Sequence, residues 1–330
     1  MIYPKKNILI TGGCGYVGSV LVPALLNQGH KITVVDLMIY GEDLIQKHDD
    51  LTIIKGDIRD FPLMSRLLKG IDVVIHLACI SNDPSFELNP TLGKSINLDP
   101  FEPFVEMSKK AGVERFVYAS SSSVYGIKSE PDVTEDMSLE PLSDYSLFKA
   151  KCEEILQRHQ TDDFTTTIIR PATVCGYSPR QRLDVVVNIL SNLAFHKRKI
   201  AIFGGEQLRP NIHINDMVAA YLCILNAPKR LIQGEIFNAG CENHSVNELG
   251  ELVRDVIGRD VVVEKITTDD NRSYHVSSQK IKNLLGFETS HSVRGAIGDL
   301  KNAFEQKMLC DPLNNENYFN IKRMQTLNLR

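Results

Sequence analysis

Residues 7–18 read Asn7-Ile8-Leu9-Ile10-Thr11-Gly12-Gly13-Cys14-Gly15-Tyr16-Val17-Gly18. The apolar residues run without alternation, which is typical of a strand buried on both faces of a parallel sheet. A helical pattern follows over 16–27, although Pro23 removes one backbone donor inside it. A strand, a tight turn and a helix in this order predict the first unit of an α/β fold.

The three glycines Gly12, Gly15 and Gly18 let the backbone turn sharply and approach a diphosphate, whose charge the helix N-terminus meets. Asp36 ends the second predicted strand. A carboxylate there accepts hydrogen bonds from the adenosine ribose of NAD and repels the 2′-phosphate of NADP. No arginine follows at 37–40 to receive that phosphate. The pattern predicts NAD as the cofactor.

The alternation of strands and helices continues along the chain. Strands are predicted at 32–36, 52–54, 73–76, 116–119 and 165–170, and helices at 61–69, 94–111 and 144–159. Further helices are predicted near 183–196, 215–227, 246–257 and 291–307, with short strands near 200–203, 235–238 and 261–265. The predicted fold is α/β: a doubly wound parallel sheet (Rossmann) with a smaller α/β substrate-binding lobe.

A chain of 330 residues is long enough for about two domains. We expect the sheet domain to cover 1–176 and to be rejoined by about 211–240. The remaining segments, 177–210 and 241–330, are expected to form the substrate lobe. No long linker separates the two parts, so we expect the lobe to pack directly on the sheet domain.

The composition excludes several classes of protein. The chain has 37 basic and 41 acidic residues and a formal net charge of −4, which argues against a nucleic-acid binder. No apolar run approaches the length of about 20 residues that spans a bilayer, and the first residues do not form a signal-peptide core. The seven cysteines are scattered, and neither a disulfide framework nor a metal site is predicted. A reduced, cytoplasmic protein is expected.

Tyr145 and Lys149 are four residues apart in a predicted helix, so their side chains lie on one face. The free pKa of tyrosine is about 10, and a neighbouring ammonium favours its phenolate. By itself, this spacing is more typical of an ordinary amphipathic helix. The serines at 120–123 favour a catalytic group instead, because they leave the predicted fifth strand at the sheet edge where such folds bind ligands.

Several short motifs follow one another along nearly the whole chain. They are Thr11-Gly12-Gly13-Cys14-Gly15-Tyr16-Val17-Gly18, His76-Leu77-Ala78, the serines leading to Val124-Tyr125-Gly126, Tyr145-Ser146-Leu147-Phe148-Lys149, Arg170-Pro171-Ala172-Thr173-Val174-Cys175-Gly176, Arg209-Pro210-Asn211-Ile212-His213 and Phe237-Asn238-Ala239-Gly240. In this order they resemble the extended short-chain dehydrogenases/reductases of the NAD-dependent epimerase/dehydratase family, which act on nucleotide sugars.

The resemblance implies a catalytic group of Ser121, Tyr145 and Lys149, with Ser122 as the alternative hydroxyl. The predicted cofactor-binding residues are Gly12, Gly15, Tyr16, Val17, Gly18, Asp36, Asp57, Ile58, Leu77, Ala78, Tyr145, Lys149 and Pro171. A nucleotide diphosphate sugar needs cationic partners, and Arg209 and Arg272 match the two arginines that bind its diphosphate in the family. The predicted substrate-binding residues are Ser81, Ser121, Ser122, Arg180, Asn188, Arg209 and Arg272.

The predicted function is an NAD-dependent nucleotide-sugar epimerase acting through a transient 4-keto sugar. In 4,6-dehydratases of the family an Asp-Glu pair follows the catalytic hydroxyl; here Ser122 and Ser123 stand there, so a dehydratase is not expected. The alternatives are an NAD(H)-dependent nucleotide-4-ketosugar reductase or dehydrogenase and a catalytically silent NAD-binding regulatory protein. The resemblance also implies a homodimer through a four-helix bundle of the helices at 94–111 and 144–159.

Overall fold

The computed structural model describes residues 4–268, 273 and 275–329. Its strands are β1 Asn7–Thr11, β2 Lys31–Asp36, β3 Leu51–Lys55, β4 Val73–His76, β5 Arg115–Ala119, β6 Thr165–Pro171, β7 Thr173–Cys175, β8 Lys199–Phe203, β9 Leu208–His213, β10 Glu235–Ala239, β11 Glu242–Ser245 and β12 Val262–Ile266. Its α-helices are α1 Gly18–Asn27, α2 Phe61–Leu67, α3 Asp83–Glu87, α4 Pro90–Asn97, α5 Phe101–Lys110, α6 Asp144–His159, α7 Val186–Lys197, α8 Ile214–Asn226, α9 Val246–Ile257, α10 Gln279–Leu285, α11 Val293–Glu305 and α12 Asn320–Leu327. Short 3-10 helices lie at Ser122–Tyr125, Lys229–Leu231 and Glu316–Tyr318.

The centre of the molecule is a seven-stranded sheet in the order β3-β2-β1-β4-β5-β6-β10. All of its strand pairs are parallel. The strand order reverses between β1 and β4, so a crevice lies at the carboxyl ends of these strands. The doubly wound α/β fold is therefore confirmed.

Apolar clusters cover both faces of this sheet. On one face, α1 packs against α8 through residues such as Leu21, Leu25 and Tyr221. On the other, the phenylalanines of α5 and the apolar residues of α6, including Leu156, form a second cluster. Burial on both faces explains why the strands are continuously apolar in the sequence.

The second lobe begins with β7 and contains two small sheets. One has the order β11-β9-β7, and the other pairs β8 with β12. Helices α7, α9 and α11 pack on one another around an apolar cluster that includes Leu190 and Leu249. The chain returns to the large sheet through α8 and β10, whereas β9 stays in the lobe.

Some elements differ from the sequence prediction. The predicted helix over 94–111 is two helices, α4 and α5, separated by Leu98–Pro100. Proline disfavours helical geometry in the residue before it, which accounts for the break ahead of Pro100. The prediction also missed the short strands β7, β9 and β11 and the helices α3, α10 and α12. Within the described ranges, each helix is too short or too polar to cross a membrane.

Candidate active site

A cavity of about 830 Å³ lies along the carboxyl ends of the central strands. Its walls come from the loop after β1, the loops after β2 and β4, the serines after β5, the start of α6 and the segment after β6. Every predicted cofactor-binding residue borders it. The parallel topology explains this convergence, because all carboxyl ends of the strands meet at one edge.

The glycine-rich loop is too tightly packed to hold side chains at two of its glycines. A Cβ added to Gly12, whose φ is +72°, would lie 2.6 Å from the backbone nitrogen of Ala78. At Gly18 it would lie 2.4 Å from the carbonyl oxygen of Gly13. The loop therefore presses against the end of β4 and leaves the start of α1 open to the cavity, an arrangement that fits a dinucleotide diphosphate.

Asp36 is fixed at the end of β2 by two backbone donors. Its carboxylate accepts hydrogen bonds from the N–H groups of Cys14 at 3.0 Å and Met38 at 2.7 Å. Burial raises the pKa of Asp36, and these hydrogen bonds and the charge of Arg180 oppose that rise. The carboxylate thus faces the cavity in a set orientation, as an adenosine ribose partner requires.

Asp57 borders the cavity but its side chain is engaged elsewhere. The Arg59 guanidinium donates to both carboxylate oxygens of Asp57, with the shortest distance 2.6 Å. A carboxylate has about four acceptor sites, so Asp57 can accept from a further donor beside Arg59, and its contact to the cofactor stays a prediction.

The structure brings Ser121, Tyr145 and Lys149 together. Tyr145 and Lys149 lie near the start of α6, whose first turn is fixed by a capping box between Ser143 and Ser146. The Tyr145 phenol lies near Ser121, in the loop after β5, close enough for that hydroxyl to lower the pKa of the phenol. The Lys149 ammonium donates to the Ala119 carbonyl at 2.6 Å. The hydroxyl, the phenol and the ammonium are held as one group on one wall of the cavity.

Burial raises the pKa of Tyr145 well above its ordinary value. Cys79 and Asp83 raise that pKa further, whereas the Ser121 hydroxyl and the charge of Arg182 lower it. The Lys149 Nζ lies 5.9 Å from the Tyr145 ring centroid. Arg182 is thus a cation acting on the phenol that the helix spacing did not indicate, and the tuning of Tyr145 by Lys149 stays a prediction.

A buried polar network that the sequence reasoning missed lies behind the predicted catalytic residues. The Glu153 carboxylate, on α6 one turn after Lys149, accepts from Arg170 at 2.6 Å and from the Ser120 hydroxyl. Arg170 also donates to the Tyr125 hydroxyl at 2.7 Å. This "catalytic support network" joins β6, α6 and the serine loop, so it fixes Ser121 relative to Tyr145.

Five predicted substrate-binding residues border the cavity: Ser81, Ser121, Ser122, Arg180 and Arg209. Asn188 is placed elsewhere: it is fully buried behind the lining. Its amide accepts from the Gly176 N–H at 3.0 Å and donates to the Tyr16 hydroxyl at 3.0 Å. Asn188 thus supports Tyr16, a predicted cofactor-binding residue. Helical spacing alone could not show whether the Asn188 side chain faces the cavity or is buried behind its lining. Arg272 lies outside the described residues.

Cavity residues that the sequence analysis did not single out include Tyr40, Cys79, Tyr221, Asn320 and Leu329. Asp83 accepts a hydrogen bond from the Ser143 hydroxyl at the start of α6. Asn320 and Leu329 come from the C-terminal segment, far along the chain from the other walls. Nothing in the local pattern of these residues marks them, because only the tertiary fold brings them to the cavity.

Comparisons with known proteins agree with this geometry. The model of the NAD dependent epimerase/dehydratase family matches residues 8–240. The chain belongs to this family. NAD is accordingly the cofactor, and the resemblance and the cofactor predicted from the sequence are confirmed.

Relatives within the family differ in their reactions. An uncharacterized UDP-glucose epimerase of Bacillus subtilis, YtcB, is 30% identical over 88% of this chain and 95% of its own length. The UDP-glucuronic acid 4-epimerase of Bacillus cereus, solved with UDP-glucuronic acid and NAD, has a TM-score of 0.83 at 26% identity, covering 91% of this chain and 99% of its own. The human dTDP-D-glucose 4,6-dehydratase is 28% identical over 84% of each chain. Family membership therefore leaves the reaction to be argued from the site.

Proposed function

We propose that the protein is an NAD-dependent epimerase of a nucleotide sugar and acts through a transient 4-keto sugar. The observation that carries this proposal is the Ser121–Tyr145–Lys149 group in the same cavity as the glycine loop and Asp36. The serines at 122 and 123 supply hydroxyls where a dehydratase of the family has carboxylates. The epimerases among the similar proteins support the same choice.

Each residue of the group has a task that follows from its chemistry. The Tyr145 oxygen removes the proton from the sugar hydroxyl and later returns it. Ser121, which lies near Tyr145 on the same cavity wall, would bind the reacting oxygen. Lys149 holds the loop after β5 through Ala119 and borders the cavity, where it would hold the nicotinamide ribose of NAD. The chemistry that bound NAD supplies is acceptance and return of a hydride at the sugar carbon.

Epimerisation further requires that the same ketone be reduced on its other face. A keto sugar that turns within the cavity must stay attached through its nucleotide diphosphate, which needs a cation. Arg209 on β9 borders the cavity and is the proposed partner of that diphosphate. Its Nη1 donates to the Leu208 carbonyl at 3.1 Å, which sets its direction at the cavity edge.

Dehydration would need an acid and a base at the positions after Ser121. The hydroxyls of Ser122 and Ser123 do not ionise near neutral pH and protonate a leaving group poorly. Ser123 is instead used locally, since its hydroxyl donates to Ser121 Oγ at 2.9 Å. We therefore propose that the reaction returns the hydride to the carbon from which it came and leaves C6 unchanged.

The proposal is tested by incubating the protein with catalytic NAD and a panel of UDP-, GDP-, CDP- and dTDP-sugars, followed by NMR. The expected result is a 4-epimer without net NADH, and no product from the Tyr145→Phe variant. A 4-keto-6-deoxy product would contradict the proposal. So would consumption of stoichiometric NADH with a 4-keto sugar and no epimerisation across the panel, which indicates a reductase.

We also propose a homodimer through α5 and α6, which pack against each other in the monomer. The pairing of two such helices from each copy would form the four-helix bundle. Sedimentation equilibrium should give about twice 37.0 kDa, and a monomer at micromolar concentration would contradict this arrangement.

A further inference from the structure

One wall of the cavity is built from three segments far apart in the sequence. We call it the arginine wall and define it as Ser81, Arg180, Arg182, Asp184 and Asn320. All of these except Asp184 border the cavity. Asn320 begins α12 and lies 80 residues beyond the end of the segment that the family model matches, since 320 − 240 = 80.

Asn320 is 2% exposed and uses its polar groups on this wall. Its backbone N–H donates to Asp184 Oδ2 at 2.8 Å. Its side-chain nitrogen donates to the Ser81 hydroxyl at 3.0 Å, and its side-chain oxygen accepts from Arg180 Nη2 at 2.6 Å. The start of α12 is therefore the point at which the other members of the wall are joined.

Arg182 is tied to the same partners. Its Nε donates to Asp184 Oδ1 at 2.9 Å, and its Nη1 donates to the Ser81 hydroxyl at 3.3 Å. Asn320 contacts both of these partners, so it supports Arg182 indirectly while it holds Arg180 directly. Two guanidinium groups are thus kept side by side despite their like charge.

The wall retains unused donors. Within the described part of the chain, Arg180 Nε, Arg180 Nη1 and Arg182 Nη2 are buried without a hydrogen-bond partner. Arg180 is 3% exposed, and burial lowers its pKa to about 10. Burying a cation with unpaired N–H groups is costly, whereas an arginine beside a phosphate forms strong charge-assisted hydrogen bonds. The arrangement is that of a site completed by an anion.

The surroundings of Arg180 indicate which anion. Its guanidinium stacks on the Tyr40 ring, 3.7 Å from the centroid, in the loop that follows Asp36. Its backbone N–H donates to the Ser19 hydroxyl at 3.3 Å, in the first turn of α1. Asp36 and the start of α1 are the places where the adenosine ribose and the diphosphate of a dinucleotide bind.

We propose that Asn320 is a positioning residue that holds Arg180 in place to bind the diphosphate of NAD. Arg180, assigned from the sequence to the substrate, is thereby moved to the cofactor. The inference rests on NAD as cofactor but not on the epimerase reaction, since cofactor binding is measured without a sugar. Failure of the proposed reaction would therefore leave this test intact.

The experiment measures the NAD dissociation constant by calorimetry for the wild type, Asn320→Ala, Arg180→Gln and the double variant. Loss of one hydrogen bond to a charged group should weaken NAD binding about tenfold in each single variant. Because Asn320 acts through Arg180, the double variant should be little weaker than Arg180→Gln alone. Additive losses in the double variant would overturn the proposal.

Two comparisons separate positioning from simple stabilisation of the fold. Met324, one turn further along α12, is 6% exposed and packs in the apolar core, so Met324→Ala loosens the docking of the helix without removing a hydrogen bond of the wall. Met324→Ala should lower the melting temperature. Its NAD dissociation constant should stay within about twofold of the wild-type value. Equal loss of NAD affinity in Asn320→Ala and Met324→Ala would show a merely structural role and overturn the proposal.

The second comparison uses the nucleoside diphosphate that the wild type binds most tightly. Arg180→Gln should weaken its binding less than that of NAD. An equal or greater loss for the nucleoside diphosphate would assign Arg180 to the substrate and overturn the proposal, as would unchanged affinity for both ligands.

Discussion

Two polar networks border the same cavity and differ in how completely they are paired. In the catalytic support network, the Arg170 nitrogens all donate, and both oxygens of Glu153 accept. The arginine wall, by contrast, keeps three guanidinium nitrogens without a partner among the described residues. A fully paired network fixes geometry before any ligand binds, whereas an incompletely paired one depends on the ligand to supply the missing charge. The first network therefore serves chemistry and the second serves binding.

The largest effect is expected when the catalytic support network loses its carboxylate. Glu153→Ala leaves Arg170, whose side chain is 3% exposed, as a buried cation without its carboxylate. The free energy of unfolding should fall by about 3–5 kcal/mol, measured by urea denaturation. Asp184→Ala, in the arginine wall, is the matched control: its pair with Arg182 is 12–15% exposed, so the loss should be smaller. Equal losses would remove the distinction between the two networks.

A second prediction separates chemistry from binding. Tyr145→Phe removes one hydroxyl and keeps the ring, so turnover should fall about 10²-fold or more through loss of the general base. NAD affinity should stay near that of the wild type, because the arginine wall and glycine loop are untouched. The check is single-turnover kinetics together with calorimetry. Turnover near the wild-type rate would show that Tyr145 is only a packing residue.

Arg209 lies outside both networks and tests the substrate end of the cavity. Arg209→Ala should weaken nucleotide-sugar binding by about 1.5–3 kcal/mol, the range for a charge-assisted hydrogen bond. The loss should be smaller for the corresponding nucleoside, which has no diphosphate. Lys322→Gln serves as the control, because it also removes one positive charge but does so at an exposed position on α12. It should leave the affinities for the nucleotide sugar and for the nucleoside unchanged. Equal weakening of the nucleoside and the nucleotide sugar would place Arg209 away from the phosphates.

The smallest effect is a shift of the pH profile. In the proposed reaction Tyr145 removes a proton, so activity should rise with pH as this residue loses its own proton. The positive nicotinamide ring of bound NAD would favour the phenolate against the rise in pKa that burial causes. Asp83 raises the pKa of Tyr145 and Arg182 lowers it. Asp83→Asn should therefore move the rising limb of kcat to lower pH, and Arg182→Gln should move it to higher pH. Shifts of both variants in the same direction would refute the electrostatic link between the arginine wall and the phenol.

The sequence could predict those features of the site that depend on local spacing along the chain. The glycine loop, Asp36, Tyr145 and Lys149 are revealed by local spacing, because each lies at a fixed distance from the end of a strand or along a helix. The fold followed from the continuously apolar strands and their alternation with helices.

The arginine wall could not be found in this way. Arg180 and Asn320 are 140 positions apart, and only tertiary packing joins them. The helix spacing of Asn188 likewise did not show that its amide turns inward to Tyr16. The support role of Glu153 was missed for a related reason: its carboxylate on α6 is identified as buried and paired only once β6 is seen to place Arg170 beside it.

In the proposed reaction, one carbon of the sugar is oxidised and then reduced with the same hydride. The most direct measurement uses the nucleotide sugar that the NMR panel identifies as substrate, synthesised with deuterium at C4. The 4-epimer should keep its deuterium in ordinary water, because the hydride is returned within the cavity. Loss of the deuterium to solvent in the course of epimerisation would contradict it, since that result requires removal of the carbon-bound hydrogen as a proton.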